Sequence, residues 1–328
     1  MSLHYMLCLL IAWVMITMLC CNFFVSLIFV KGGFLKEAAP IYSIIFYNIC
    51  VGTCQLVTHI FTLLPAIFPR ENIFDLYTIG HYVHSVWILS LWYAASYVHI
   101  LMAANRISVF VLPRFARQLT LRNVKIALVF ISILSISTSI YTQLLTPCCR
   151  LYMEQATYSY NYLPTRPGRN MTKNISKYFI DMPIESTVTG FCIISYAFIC
   201  FYINKMQRKQ NDGDKKEKKM MRKEIMCCVQ CFLTCAFYTF TWFSVHFFPS
   251  LGFTTMEPYA SISLVYMLDC GMNAVIMLLN NEEVRRKAAR LHFVSGGYTI
   301  EPTNISTAKE ISSTNRPPPS GTSNKSTN

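Results

Sequence analysis

Long apolar segments dominate the chain and alternate with short polar ones. Seven of them have the roughly 20 apolar residues that a helix needs to cross a bilayer core. They cover residues 6–30, 41–68, 79–105, 124–145, 183–204, 224–249 and 259–280. Because lipid offers the backbone no hydrogen-bond partner, each segment must be helical. The pattern therefore predicts an all-α membrane protein, a bundle of seven transmembrane helices.

The basic residues lie between and after these segments. Of the 29 Lys and Arg residues, 23 fall on one side of the predicted bundle and six on the other. Cytoplasmic loops carry the excess of Lys and Arg, so we place the N-terminus outside and the C-terminus inside. The first segment has no basic residue before it and is too long for a cleaved signal peptide, which favours an uncleaved anchor.

The composition agrees with lipid as the solvent. Hydrophobic residues make up 53 % of the chain and charged residues 14 %, against about 25 % charged in a typical soluble domain. The net charge of +13 does not indicate a nucleic-acid partner, because the basic residues do not lie among folded elements with aromatic neighbours.

The sequence after the seventh segment changes character twice. We predict a seven-transmembrane domain at 1–280, an amphipathic juxtamembrane helix at 281–293 and a disordered cytoplasmic tail at 294–328. In the helix, Val284, Ala288 and Leu291 share one face. The basic residues that we expect to meet anionic lipid headgroups are Arg285, Arg286, Lys287 and Arg290.

Two glycosylation sequons fall in the loop predicted to lie outside, at Asn170 and Asn174. Both asparagines are therefore candidate glycan sites. Two further sequons, at Asn304 and Asn324, lie in the predicted cytoplasmic tail and should carry no glycan.

Polar residues inside a bilayer are costly and are candidates for function. Arg106 ends the third segment beside Asn105, and Pro113 follows. An arginine here either contacts carbonyls and a cytoplasmic partner, or simply marks the inner end of the helix. Asp269 and Asn273 lie four residues apart in the seventh segment and share a helical face, which indicates a switch or an ion site as the alternative to packing.

Polar and aromatic residues also mark the outer halves of several segments. We take as candidates for a small-molecule pocket His84, Trp87, Glu185, Trp242, His246 and Tyr259. Four histidines at similar depth make a zinc site conceivable, but ligand contact or ordinary hydrogen bonding explains them better, so we predict no metal.

No catalytic motif stands out. The chain has no HExxH, GxSxG or GxGD pattern, and the seventh segment lacks the lysine that a Schiff-base cofactor requires. We predict neither an enzyme nor a cofactor.

Several motifs resemble those of G-protein-coupled receptors. Residues 105–107 (Asn-Arg-Ile) with Pro113 are similar to the D/E-R-Y motif and its proline, with Asn105 in the place of the acid. Residues 273–277 occupy the place of N-P-x-x-Y without its proline and tyrosine. Trp242 with Tyr238 is similar to the aromatic pair of the sixth span.

The departures from these motifs resemble the nematode serpentine chemoreceptors. The N-R dipeptide and the ending at 278–285 are shared features, as are residues 147–149 (Pro-Cys-Cys) and 180–183 (Ile-Asp-Met-Pro). The resemblance covers residues 6–292 and indicates the Srg-type superfamily, with class Srv first and classes Srx and Srt as its neighbours.

The resemblance implies a chemosensory receptor. A small extracellular molecule would bind among the outer helix halves, and a heterotrimeric G protein would bind inside, at Arg106 and near the network of Asn273. The common disulfide from the third span cannot form, because residues 55–147 contain no cysteine. Cys148 and Cys149 then pair with each other, pair with Cys8 or stay free.

We therefore predict a multi-pass receptor of the plasma membrane, with a sensory cilium as a compartment that suits chemosensation. Two alternatives remain at this stage. One is a seven-span ligand-gated channel or transporter, although the chain lacks the repeats typical of transporters. The other is a receptor-like chain that pairs with another receptor and does not signal itself.

Overall fold

The computed structural model describes residues 3–35, 40–68, 78–116, 118–146, 150–154, 159–163, 174, 176–209, 215–247, 251 and 256–295. Seven helices in this part of the chain are long and apolar enough to cross a membrane, which confirms the predicted bundle. They are α1 (Leu3–Lys31), α2 (Pro40–Ile67), α3 (Ile79–Val111), α5 (Leu121–Ile140), α6 (Met182–Lys209), α7 (Lys215–Phe247) and α8 (Met256–Asn280).

Shorter elements connect these spans. A one-turn helix, α4 (Pro113–Ala116), follows α3, and π-helical turns at Tyr141–Leu145 and Lys177–Asp181 end α5 and begin α6. Strands β1 (Arg150–Glu154) and β2 (Ser159–Leu163) form an antiparallel hairpin, and helix α9 (Glu282–Ser295) follows α8. The predicted segments contain no hairpin. They also ended α3 at 105 and began α7 at 224, whereas both helices extend beyond the bilayer-length core into polar sequence.

The third span is the centre of the bundle. Helix α3 is the most buried of the seven spans, and it packs against α2, α5, α6 and α7. Helices α1, α2, α7 and α8 close the other side of the bundle. Large apolar side chains such as Trp13, Phe130 and Ile194 are exposed on the outer surface, as expected where lipid is the solvent.

The backbone carbonyl of Cys270 in α8 is in contact with both α1 and α2. The Asn22 side-chain amide in α1 donates a hydrogen bond of 3.1 Å to the carbonyl of Cys270 in α8. Gly52 of α2 faces the same carbonyl so closely that a Cβ at that position would overlap it. A small residue lets the backbones approach in this way, so Gly52 fixes the spacing of α2 and α8.

The hairpin is anchored to the outer end of the bundle. The Ser85 hydroxyl in α3 donates to the carbonyl of Leu151 at 2.7 Å, and the Leu151 amide donates to the Gln143 side chain at 2.9 Å. The Arg150 guanidinium lies 3.4 Å from the centroid of the Tyr82 ring. These contacts hold β1, with which β2 pairs, against the outer ends of α3 and α5.

Lys287, near the start of α9, contacts the turn that follows α1. Gly33, in the left-handed region with φ of 75°, reverses the chain after α1. The Lys287 ammonium donates 2.7 Å to the carbonyl of Gly32 and lies 3.8 Å from the centroid of the Phe34 ring. Lys287 thus contacts protein, which corrects its predicted place among the headgroup ligands.

The chain divides at Ala288 into a compact unit, Met1–Ala288, and the remaining residues. Of that remainder the structure describes only the continuation of α9 to Ser295. The predicted disordered tail therefore lies outside the described residues, apart from its first two positions.

Candidate functional site

A cavity of about 240 Å³ lies beneath the hairpin, between the outer halves of α3, α6, α7 and α8. Its polar lining is Asn161, Lys177, Asp181, Glu185, His246 and Ser263, and its aromatic lining is Trp92, Tyr160, Tyr162, Tyr259 and Tyr266. Aliphatic residues such as Ile88, Met153 and Met267 complete the wall. An apolar cavity with a few convergent polar groups is the usual form of a small-molecule site.

Glu185 joins three helices at the floor of this cavity. The Trp92 indole N–H in α3 donates to Glu185 Oε1 at 2.5 Å. His246 Nε2, in the last turn of α7, lies 2.5 Å from Glu185 Oε2. Both oxygens of one buried carboxyl group in α6 are thereby engaged, which links α3 to α7 through α6.

Asp181 makes a second polar junction one helical turn away. The hydroxyls of Tyr93 in α3 and Tyr162 in β2 each donate to one of its carboxyl oxygens. Because Asp181 and Glu185 are four residues apart in the π-helical turn and α6, they face the same side. Tyr160 and Tyr162 also point the same way, since side chains two apart in a strand share a face.

The hairpin phenols are donors at neutral pH. Burial raises the pKa of Tyr160, and burial followed by the charge of Asp181 raises the pKa of Tyr162 well above its ordinary value. Tyr152, on the other strand, has its pKa raised to about 12 by burial and then by Glu154. A protonated Tyr162 can keep donating to Asp181 across the physiological range.

An aromatic layer lies below the two carboxyl groups. The ring centroid of Trp92 is 5.1 Å from that of Tyr266 and 6.1 Å from that of Tyr238. The Tyr238 hydroxyl donates to Ser96 Oγ at 2.8 Å, and the His99 ring stacks on Tyr238 with centroids 4.5 Å apart. Trp92 thus connects the carboxyl groups of the cavity to residues in the middle of the bundle by direct packing.

Three histidines lie in the outer parts of α2 and α3. His59 Nδ1 lies 3.0 Å from the Tyr160 hydroxyl, and the His84 ring stacks on Tyr160 with centroids 6.3 Å apart. His81 lies one turn before His84 and is buried. Within the described residues no group of three or more His, Cys, Asp or Glu side chains is placed to hold a metal ion.

At the cytoplasmic end, Arg106 connects α3 to α7. Its side chain is only 3 % exposed, and its Nη1 lies 3.1 Å from Oε2 of Glu224, which is 48 % exposed. Its Nη2 donates to the Asn105 side-chain oxygen at 2.6 Å. The guanidinium is thus held by one neighbour in its own helix and by one acid in α7.

Asn273 lies between this ion pair and the cavity. The Thr234 hydroxyl in α7 donates to Asn273 Oδ1 at 3.4 Å, and Asn273 Nδ2 donates to the Ile45 carbonyl in α2 at 3.5 Å. Asn273 thereby links α2, α7 and α8. Asp269, one turn earlier in α8, is partly buried, and the structure gives its carboxyl group no hydrogen-bond partner among the described residues.

The structure brings half of the predicted pocket residues to the cavity. Glu185, His246 and Tyr259 line it. His84 lies behind Tyr160, and Trp242 contacts the His246 ring with centroids 5.8 Å apart. Trp87 points away: it is 48 % exposed and donates to the Thr58 hydroxyl at 3.0 Å.

Other predicted positions are only partly described. Pro113 begins α4, where its lack of an N–H costs nothing. Asn174 is buried, and its side-chain oxygen accepts from the Lys177 amide at 3.1 Å. Asn170, Cys148 and Cys149 lie outside the described residues.

Sequence reasoning missed several residues of the site. Tyr93 and Tyr162 were not selected, and Asp181 was noticed only as part of a motif. The hairpin had a signal, because Leu151 and Met153, then Tyr160 and Tyr162, alternate with polar residues in the manner of a strand. Glu224, at the border of a basic loop, had no signal that separated it from neighbouring charges.

The bundle with an outer cavity and an inner arginine–acid pair defines a seven-transmembrane receptor of the G-protein-coupled type. The family described as serpentine type 7TM GPCR chemoreceptor Srx matches residues 13–281. The chain belongs to this family. The predicted resemblance to the nematode serpentine chemoreceptors is therefore confirmed. Srx is one of the two classes placed beside Srv, and neither the Srg-type superfamily nor class Srv is confirmed.

The fold is also that of a solved receptor. The chain resembles squid rhodopsin with a TM-score of 0.71 and 12 % sequence identity, over 89 % of this chain and 86 % of that one. No curated protein sequence matches the chain. Family and fold are those of a receptor and not of an enzyme.

Proposed function

We propose that this protein is a chemosensory receptor of the plasma membrane that binds a small extracellular molecule and activates a heterotrimeric G protein. The ligand occupies the cavity beneath the hairpin, and the G protein binds where Arg106 meets Glu224. Residues 1–280 carry both sites, 281–293 form the juxtamembrane helix, and 294–328 form the cytoplasmic tail.

The observation that carries the proposal is that α3 and α7 are joined at both ends. Outside, Trp92 of α3 and His246 of α7 share the carboxyl group of Glu185. Inside, Arg106 of α3 contacts Glu224 of α7 directly. A ligand that separates the outer pair therefore acts on the same two helices whose inner ends the ion pair holds together.

The energetics require two states of the bundle. A ligand shifts the equilibrium only by its difference in affinity for the two states, so it must bind better when the contacts around Glu185 have rearranged. Trp92 packs on Tyr238 of α7, and Thr234, one turn earlier in α7, donates to Asn273 of α8. These contacts lie along α7, the helix that the two sites share. The inner state that results has Arg106 released from Glu224.

The cytoplasmic face suits an acidic partner surface. The segment 205–223 carries nine Lys and Arg residues and three acids, and a basic surface of this kind attracts acidic proteins and anionic lipid alike. Once released, the Arg106 guanidinium offers five N–H donors in a planar fork. It then donates to backbone carbonyls of the bound G protein.

The experiment is a ligand screen in transfected cells with a G-protein biosensor. Small volatile and water-soluble molecules are applied to the wild-type chain and to Arg106→Ala, with surface expression measured in parallel. We expect at least one ligand to evoke a response that Arg106→Ala abolishes at equal surface expression. A ligand-evoked current or uptake that needs no G protein and ignores Arg106 would instead identify a channel or a transporter.

A further inference from the structure

The described lining of the cavity is not balanced in charge. It contains two carboxyl groups, those of Asp181 and Glu185, and one ammonium group, that of Lys177. The ion pairs of the described residues include Glu185 with His246, but neither acid lies within ion-pair distance of Lys177. The two carboxyl groups thus outnumber the one ammonium group in the described lining.

The contacts that these carboxyl groups do make are mostly with neutral donors. Asp181 receives the hydroxyls of Tyr93 and Tyr162, and Glu185 receives the Trp92 indole N–H. An indole N–H can only donate, and a phenol hydroxyl that donates to a carboxyl group is uncharged. Neutral donors replace part of the lost hydration, but they supply no countercharge. A buried carboxylate in this condition attracts a cation.

The remaining walls determine what kind of cation fits. Five aromatic rings line the cavity, those of Trp92, Tyr160, Tyr162, Tyr259 and Tyr266. The face of an aromatic ring attracts a cation within about 6 Å. Aliphatic side chains such as Ile88 and Ile262 cover the rest, and they favour an uncharged, apolar body over a strongly hydrated metal ion.

The size of the cavity restricts the ligand further. Its volume of about 240 Å³ is below the roughly 300–1,000 Å³ that is usual for drug-sized ligands. A molecule with one ring or one short branched chain suits this space. An anionic ligand would bring a further negative charge to two carboxylates, which is unfavourable in a site of low dielectric.

We propose that the cavity selects small organic amines, with the protonated amino group at Asp181 and Glu185 and the apolar body among the aromatic rings. The inference rests on the proposed function, because it takes this cavity as the ligand site. It adds the chemical class of the ligand and the two residues that recognise its charge.

The test measures binding without signalling. The purified full-length receptor in lipid nanodiscs is unfolded by heat in the presence of matched probes at about 1 mM, the lower limit of useful affinity. One set is phenethylamine, 2-phenylethanol and phenylacetate; the other is isoamylamine, isoamyl alcohol and isovalerate. We expect the amines to raise the unfolding temperature and the alcohols and carboxylates of similar shape to leave it unchanged.

Variants of the cavity residues then test which of them recognise the charge of the amine. Glu185→Gln keeps the shape and a hydrogen-bonding side chain but removes the charge, so the half-maximal amine concentration should rise at least about tenfold. Asp181→Asn should act in the same direction, and it replaces Glu185→Gln if that variant does not fold. Lys177→Gln removes a like charge from the cavity wall and should lower the half-maximal concentration.

The outcomes separate this inference from the proposed function. Stabilisation by the alcohols or carboxylates in place of the amines overturns the ligand class and leaves the receptor function intact. Absence of stabilisation by any amine also overturns it. Amine binding that depends on Glu185 but gives no G-protein response in cells supports the ligand class and counts against the coupling.

Discussion

The Nη1 atom of Arg106 lies 3.1 Å from the Oε2 atom of Glu224, and the arginine is buried while the acid is half exposed. The two partners of this ion pair therefore differ in burial and in the role that we propose for them. Removing Arg106 removes a group that we propose contacts the G protein, whereas removing the charge of Glu224 only releases the arginine. Variants of the two residues should consequently have opposite effects on signalling.

Glu224→Gln should raise signalling in the absence of ligand. A partly exposed ion pair contributes up to about 1 kcal/mol, and losing that amount from the inactive state shifts a two-state equilibrium about fivefold. Basal activity is read with the G-protein biosensor at matched surface expression. The control is Glu282→Gln, which removes an exposed ion pair with Arg286 in α9 and should leave basal activity unchanged. Equal or lower basal activity in Glu224→Gln would show that the ion pair does not restrain the receptor.

Tyr162→Phe should shorten the time that a ligand stays bound. The change removes the hydroxyl that donates to Asp181 and so loosens β2 from α6. A lost hydrogen bond to a charged group costs roughly 1.5–3 kcal/mol, which corresponds to at least a tenfold faster decay of the signal after washout. The control is Tyr152→Phe on β1, because Tyr152 does not line the cavity. Unchanged decay in Tyr162→Phe would show that this hydrogen bond does not retain the ligand in the cavity.

The helical spans could be predicted because an isolated segment in lipid has only one way to satisfy its backbone hydrogen bonds. A run of about 20 apolar residues in lipid satisfies its backbone only as a helix, and the charge of the connecting segments then sets the orientation. The hairpin is different. It covers part of a protein cavity, and its alternating pattern is short and lies among polar residues, so its sequence signal is much weaker than that of a membrane span.

The site could be predicted in part, by helical position. Asp181 and Glu185 are one turn apart, and so are Trp242 and His246, which places each pair on one face. Trp87 and Trp92 are five residues apart, which at 3.6 residues per turn separates them by about 140°. Both cannot face one cavity, but which of them does depends on how α3 is rotated in the bundle. That rotation is set by contacts with α2, α5 and α6 and not by α3 alone.

Gly52→Ala should destabilise the bundle. The added Cβ would overlap the Cys270 carbonyl in α8, so α2 and α8 must separate, and overpacking of this kind costs roughly 1–3 kcal/mol. Gly190→Ala in α6 is the matched control, since a Cβ there meets nothing within 4 Å. Thermal unfolding of the purified receptor should show a lower midpoint for Gly52→Ala alone. Equal midpoints would mean that α2 and α8 are not in backbone contact.

Lys287→Met should release α9 from the bundle. The ammonium donates to the Gly32 carbonyl and lies over the Phe34 ring, and these two interactions together contribute about 1–3 kcal/mol. Methionine keeps an unbranched apolar chain, so the change isolates the charge. Hydrogen–deuterium exchange of the α9 amides should accelerate at least about fivefold.

Arg286→Met is the matched control for this variant. The Arg286 side chain is 63 % exposed, and its ion pair among the described residues is with the exposed Glu282, an interaction of the kind that contributes little. Exchange in α9 should therefore stay close to that of the wild type. If both variants accelerate exchange equally, α9 is held by its general positive charge at the lipid surface, and the contact of Lys287 with the turn after α1 does not position it.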